Sequence, residues 1–194
     1  MTPIKYRFYP TLLNTFSRYL HGGGLSEQQL LDTINRVPGP TTAAQQRGIS
    51  FEETLLKGIE EERFEAGILQ KMRRLLPNPI LDTQVYCQWQ HDDVLVYGYV
   101  DLVGSYKAVD IKTTGSYQPG RFTFNHQNLY LHALKSRGIK LMEYLITDFR
   151  EVYVESYALT HSIDRQLEEI RLFKAFLDEH EAQITDKKIR PVAG

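Results

Sequence analysis

One cysteine in 194 residues rules out an internal disulfide, and with it any zinc or iron–sulfur site built from the cysteines of a single chain. Cys87 lies among strand-forming residues and reads as a small buried hydrophobe. Long apolar runs are missing too. Nothing approaches the ~20 residues a membrane span needs, and the first residues hold no signal-peptide apolar segment. The protein is therefore expected inside the cell, in the cytoplasm, with no membrane partner. Neither charge sign dominates: 23 Lys and Arg against 24 Asp and Glu leave a net charge of −1. That balance offers no global pull toward a polyanion, so a nucleic-acid partner would have to be met by a local patch. Internal repeats and low-complexity stretches are also absent.

What remains is ordinary in amount, with 42% hydrophobic and 24% charged residues, which suits one soluble core. A single domain is expected over residues 1–194, made of an N-terminal helical segment (1–40), a core (42–182) and a mobile, polar and basic tail (183–194). Leu12, Leu13, Phe16, Tyr19 and Leu20 repeat at helical spacing and are stopped by Gly22-Gly23-Gly24. Ser26 with Gln29 forms a capping box for a second helix. Thr42 with Gln45 forms another, opening either one helix that runs to about Phe64 or two helices divided near Gly48 and restarted at Ser50. Lys71, Arg73 and Arg74 on a helix over 66–76 are open to phosphate contact, or form a solvated face. Strands follow at 80–90, 94–103 and 108–114 as an antiparallel meander. A helix is expected over 123–137, strands at 143–149 and 151–160, and a last helix capped by Ser162.

The chemistry concentrates at Tyr97–Thr114. If Ser105-Tyr106 is the hairpin loop, cross-strand partners sum to 211 and Asp101 lies opposite Asp110, with Lys112 on the same face as Asp110. Like charges directly opposite destabilise a sheet, and a divalent cation would compensate them. A third carboxylate joins from the helix before. Glu52 stands four residues ahead of Leu56 and seven ahead of Ile59, on an apolar stripe, whereas Glu53 lies toward Lys57 and Glu60 on the wet side. A carboxylate on an apolar stripe is costly unless it meets a cation. Three carboxylates suit hard ions such as Mg²⁺ or Mn²⁺, which activate water and stabilise charge on a phosphate. A structural Asp110–Lys112 ion pair is the plainer account of that triplet taken alone.

The order of these features resembles the PD-(D/E)XK nuclease superfamily, more narrowly its RecB-like, lambda-exonuclease-like branch, over about residues 42–135. That family's Arg-Gly followed by His or Glu is matched by Arg47-Gly48 and Glu52, its metal-binding aspartate by Asp101, and its D/E-x-K motif by Asp110 and Lys112. The resemblance implies an α/β, restriction-endonuclease-like core with a central mixed β-sheet flanked by helices. It implies that Glu52, Asp101, Asp110 and the Ile111 carbonyl bind Mg²⁺ or Mn²⁺, and that Lys112 assists the attacking water. The family's Gln and Tyr stand four residues apart on the following helix. Here Gln127 and Tyr130 are three apart and His126 is four before Tyr130, so either Gln127 or His126 completes the substrate-binding set with Tyr130 and Arg47. The proline that names the superfamily is replaced by Val100.

The expected function is therefore a metal-dependent deoxyribonuclease, an exonuclease of recombination, repair or phage DNA processing. Its partner would be DNA, and it would act as a homo-oligomer or beside a recombination protein. The alternatives are a structure-selective endonuclease or junction resolvase with the same centre, and a non-catalytic nucleic-acid-binding module with the same fold.

Overall fold

The computed structural model describes residues 2–190. Chain order is β1 (Tyr6–Phe8), α1 (Pro10–Leu20), α2 (Glu27–Ile34), α3 (Ala43–Lys57), α4 (Ala66–Leu75), β2 (Asp82–His91), β3 (Val94–Val103), β4 (Lys107–Thr113), α5 (Tyr130–Leu134), β5 (Leu141–Thr147), β6 (Val152–Ala158) and α6 (Asp164–Glu179). Both capping boxes form. Ser26 and Thr42 each accept from the N–H three residues on, and Gln29 and Gln45 reach back to the cap. The chain after Thr42 makes one helix through Gly48. Gly58, at φ 69°, ends it in the left-handed conformation that closes helices.

Six strands form one mixed sheet, in the order β1-β3-β4-β5-β6, with β2 on the other edge of β3. The β2–β3–β4 meander is antiparallel as expected, β4 and β5 run parallel, and β5 and β6 are antiparallel. The three residues of β1 form a strand beyond those expected. They pair parallel to Val94–Val96, and three residues are too few for a period to show. The expected helix over 123–137 is instead two 3-10 turns, His126–Leu129 and Lys135–Arg137, around the short α5. Ser162 accepts from the Asp164 N–H at 3.3 Å, but the residue at the N-cap of α6 is Ile163, which has no capping side chain, so the expected cap falls one residue early.

Helices cover both faces. Phe51, Leu55, Ile68, Leu69 and Met72 of α3 and α4 pack on Leu102, Val109, Ile111 and Leu145. Tyr130, Leu131 and Leu134 of α5 pack on Val85, Val100, Ala108 and Met142 from the opposite side. A third cluster joins α1, α2 and α6 to β1 and the start of β3. The expected mobile tail is corrected over residues 183–190. Ile189 is fully buried in that third cluster, its carbonyl accepts from the Arg7 N–H, and Asp186 pairs with Arg36. Burial of one isoleucine and three ion pairs, two of them from Arg190 to Asp178 and Glu181, outweigh the tail's polar composition. Residues 191–194 of that tail lie outside the described residues. No described helix is long and apolar enough to cross a membrane.

Candidate active site

The β3–β4 hairpin has the expected register. Leu102 pairs with Val109 and Val103 with Ala108, each summing to 211, around a Ser105-Tyr106 loop closed by Gly104 N–H to Lys107. The ladder stops there, one step before Asp101 and Asp110. Because β2 runs along the whole of one edge of β3, β1 and β4 must share the other, at its two ends. Residues 97–101 therefore face a gap on that edge. Side-chain alternation also slips at this point: Val100 and Val103, an odd number apart, both pack on the α5 side. Opposite Asp101, Gln84 carries a positive φ of 49°. Asp101 is consequently turned edgewise into the gap. Its Oδ2 accepts the Ile111 N–H at 2.8 Å and its Oδ1 the Gln84 side-chain amide at 3.2 Å.

Asp110 is 2% exposed. Its Oδ1 accepts from the Gln127 side-chain amide, and its Oδ2 faces the Lys112 ammonium without receiving an aligned hydrogen bond. Burial and the Asp101 charge push the Asp110 carboxyl up to about 6 against the pull of Lys112 and Gln127, burial being the largest cause. Glu52 arrives from α3. Helix and strand can approach because Gly48 has no side chain: a Cβ there would stand 2.7 Å from Thr113 Oγ1. Glu52 lies at the rim of the buried stripe, which is in fact Phe51, Thr54 and Leu55. Ile59 falls beyond the helix end and is exposed. Burial, then Asp101 and Asp110, raise Glu52 to about 7, with Lys112 opposing. Glu52 borders two clefts, one of about 480 Å³ shared with Gln84 and Asp101, the other of about 700 Å³ shared with Ile111, Lys112 and Thr11. Glu53 is on the wet side as expected, paired with Lys57 at 3.0 Å.

The structure thus gathers Glu52, Asp101, Asp110, Lys112 and Gln127, and adds Gln84, for which the sequence carried no local signal. Tyr130 belongs to the same wall. Its buried hydroxyl lies where a Cβ on Gly98 would stand, and burial followed by Asp110 raises its pKa. His126 is corrected out of the substrate-binding set. It is fully buried, its ring Nδ1 lies 3.0 Å from Asn14 Oδ1, and burial lowers its pKa to about 4. The 3-10 turn rotates adjacent residues by about a third of a circle, so Gln127 enters the site and His126 the α1–α6 junction. Arg47 also stands apart from the carboxylates, its guanidinium 3.7 Å over the Phe149 ring in a neighbouring cleft of about 640 Å³. Of the basic trio, Arg73 is spent on the Thr54 and Leu55 carbonyls and Glu61, and Lys71 on Glu151.

Among the described residues no three His, Cys, Asp or Glu side chains are already gathered as a metal cage. The chemistry of the donor set nevertheless fits a hard divalent ion. All donors are oxygens, one is a buried carboxylate oxygen without an aligned hydrogen bond, and two carboxyls are held above their ordinary range, by burial first and then by the Asp101 charge. Lys112 and Gln84 occupy part of the role a cation would take.

No family model matches the sequence, and no curated protein matches it. Solved structures do match. The crystal structure of a putative exonuclease from Eubacterium rectale aligns with a TM-score of 0.54 at 13% identity, over 95% of this chain and 83% of that one. The two share a fold. At that identity the likeness speaks to architecture, a mixed sheet flanked by helices, and not to the reaction. The structure of SSO0001 (TM-score 0.47, 15% identity, 92% of this chain and 79% of that one) and that of Scheffersomyces stipitis Rai1 with (3′-NADP)⁺ and calcium (0.31, 13%, 94% and 62%) are too distant to add to this.

Proposed function

We propose that the chain is a metal-dependent nuclease of the PD-(D/E)XK superfamily, of its RecB-like branch, hydrolysing phosphodiester bonds of DNA as an exonuclease in recombination, repair or phage DNA processing. The observation that carries the reading is the convergence of Glu52, Asp101, Asp110 and Lys112 from three separate elements onto one break in the sheet. Glu52, Asp101, Asp110 and the Ile111 carbonyl would hold Mg²⁺ or Mn²⁺. Such an ion, when bound, stabilises charge on the scissile phosphate and eases ionisation of a water it holds.

The chain's own residues do the rest. Asp101 holds the Ile111 N–H, fixing the backbone between Asp110 and Lys112. Gln127 locks the orientation of the Asp110 carboxylate. Lys112 keeps a partly exposed ammonium beside that carboxylate, from where it donates to the attacking water and to the phosphate oxygen that gains charge. Tyr130 and Gln127 wall the α5 side.

Degradation of linear DNA that needs Mg²⁺ or Mn²⁺ and is lost in both Lys112→Ala and Asp110→Ala is the expected result. Cleavage retained by both purified variants would remove the site assignment. Closed circular DNA, left intact by an exonuclease and nicked by a structure-selective endonuclease, separates the two modes. Mass measurement in solution tests a ring-forming oligomer.

A further inference from the structure

The face of β2–β3 turned away from α5 carries aromatic rings where a soluble protein usually exposes polar side chains. Tyr86 and Tyr99 are directly opposite each other, 46% and 58% exposed, and their rings meet edge to face with centroids 5.4 Å apart. Each stands two positions from the site along its own strand, Tyr99 from Asp101 and Tyr86 from Gln84, whose amide holds Asp101. In the other direction, two more positions lead to Tyr97. There Arg36 donates to the Tyr97 hydroxyl at 3.2 Å and stacks over Tyr9, while Arg7 lies over the Tyr97 ring. Tyr9 closes the group, edge-on to Tyr97. The sheet face thus runs from a carboxylate site, through two exposed rings, to two guanidinium groups.

We propose that this row is a binding track for a single-stranded nucleic acid led into or out of the carboxylate site, a reading that rests on the nuclease assignment above and narrows its substrate. The occupant follows from spacing and charge. Tyr97 and Tyr99 are successive same-face positions on β3, about 6.8 Å apart, twice the ~3.4 Å rise of a stacked duplex strand, so a chain running along β3 meets them extended and unstacked, and Tyr86, opposite Tyr99, widens that ring into a platform. Exposed tyrosines supply stacking that tolerates any base. Arg7 ends the row with positive charge for the backbone, beside an Arg36 that is paired with Asp186, in a chain whose overall charge gives no such attraction. Tyr86 and Tyr99 form the stacking platform, and Arg7 is the phosphate-side residue.

Binding is measured on the full chain in EDTA, so that cleavage plays no part, by fluorescence anisotropy of labelled oligo(dT), oligo(U) and a blunt duplex of equal length. Tyr99→Ala and Tyr86→Ala are each expected to weaken oligo(dT) binding about tenfold, the scale of one lost base stack. Tyr99→Trp should bind as the native chain does, and duplex binding should stay unchanged. Loss on oligo(U) alongside oligo(dT) extends the track to both sugars, and loss on oligo(dT) alone restricts it to DNA; either supports it. Native oligo(dT) affinity in both alanine variants, or an equal fall in duplex binding, overturns the track. Failure of the nuclease reading shows elsewhere, as no Mn²⁺-dependent cleavage by the native chain, and is therefore separable.

Discussion

Asp101 Oδ2 accepts the backbone N–H of Ile111 at 2.8 Å, taking the place of a strand ladder that ends one residue earlier. Two facing carboxylates repel, the strands part, and one carboxylate fills the vacated backbone position. Asp101→Asn keeps an acceptor and is expected to hold the fold while weakening Mn²⁺ binding at least tenfold by calorimetric titration. Asp101→Ala removes the acceptor too, and its melting curve should show a further loss of about 1–2 kcal/mol, the usual cost of an unsatisfied buried donor.

Gly48 is where α3 crosses β4. An alanine normally improves a helix interior by about 1 kcal/mol, but here its Cβ would stand 2.7 Å from Thr113 Oγ1. Gly48→Ala alone is expected to lower kcat several-fold by moving Glu52 off the site, with little gain in stability. In Gly48→Ala/Thr113→Ala the obstacle is gone, so both activity and the helix gain should return. A double-mutant cycle in melting temperature and cleavage rate checks this.

Two groups give the metal-free protein an unusual acid–base profile. The folded-state pKa of Glu52 is raised from 4.5 to about 7 and that of Asp110 from 3.8 to about 6. The folded state binds the extra protons, so their contribution to stability is complete below the unfolded values and is lost as pH rises through about 6–7. Glu52→Gln should therefore stabilise the metal-free protein at pH 8 by about 1 kcal/mol, after discounting for solvent screening, and change nothing at pH 4. Added Mn²⁺ should reverse the ranking at pH 8, because the native carboxylates bind it best when deprotonated. His126 has the opposite sign. Its pKa falls from 6.5 to about 4, so its contribution is present above 6.5 and lost as pH falls toward 4. Denaturant unfolding across pH 4–8 resolves the opposing slopes.

Helix α1 directly supports the turn that carries Gln127. Asn14 Oδ1 meets the His126 N–H and ring Nδ1, and Asn14 Nδ2 donates to Asn125 Oδ1, which also accepts from the Gln127 N–H. Asn14→Leu leaves the His126 N–H and ring Nδ1 without this acceptor, while Asn125 Oδ1 keeps the Gln127 N–H, and is expected to destabilise the fold by about 2 kcal/mol. It should also lower kcat more than it raises KM, through the Gln127 amide that holds the Asp110 carboxylate. Unchanged kinetics in a folded Asn14→Leu protein would confine the helix to packing.

Part of this site was legible in advance because Asp101, Asp110 and Lys112 lie on one hairpin and Glu52 on a helix whose faces can be read. The Ser105-Tyr106 loop and the period-2 alternation set the hairpin register, and 3.6-residue spacing separated Glu52 from Glu53. Capping boxes at Ser26 and Thr42 marked two helix starts, since they depend on residues three apart. The three residues of β1 and the packing of residues 183–190 were not legible, because both rest on partners more than eighty residues away.

Spacing left Gln127 and His126 equivalent as partners of Tyr130. It was the 3-10 geometry of the turn, imposed by Asn125 and Asn14 beneath it, that sent one side chain to Asp110 and buried the other against Glu169. By itself, then, the sequence determined which carboxylates and which lysine share one hairpin, for alternation and loop length are local properties of the chain. Only the tertiary structure decided how they meet. The opening of β3 between β1 and β4, and the close passage of Gly48 over Thr113, depend on backbone approaches between distant segments that no local pattern encodes.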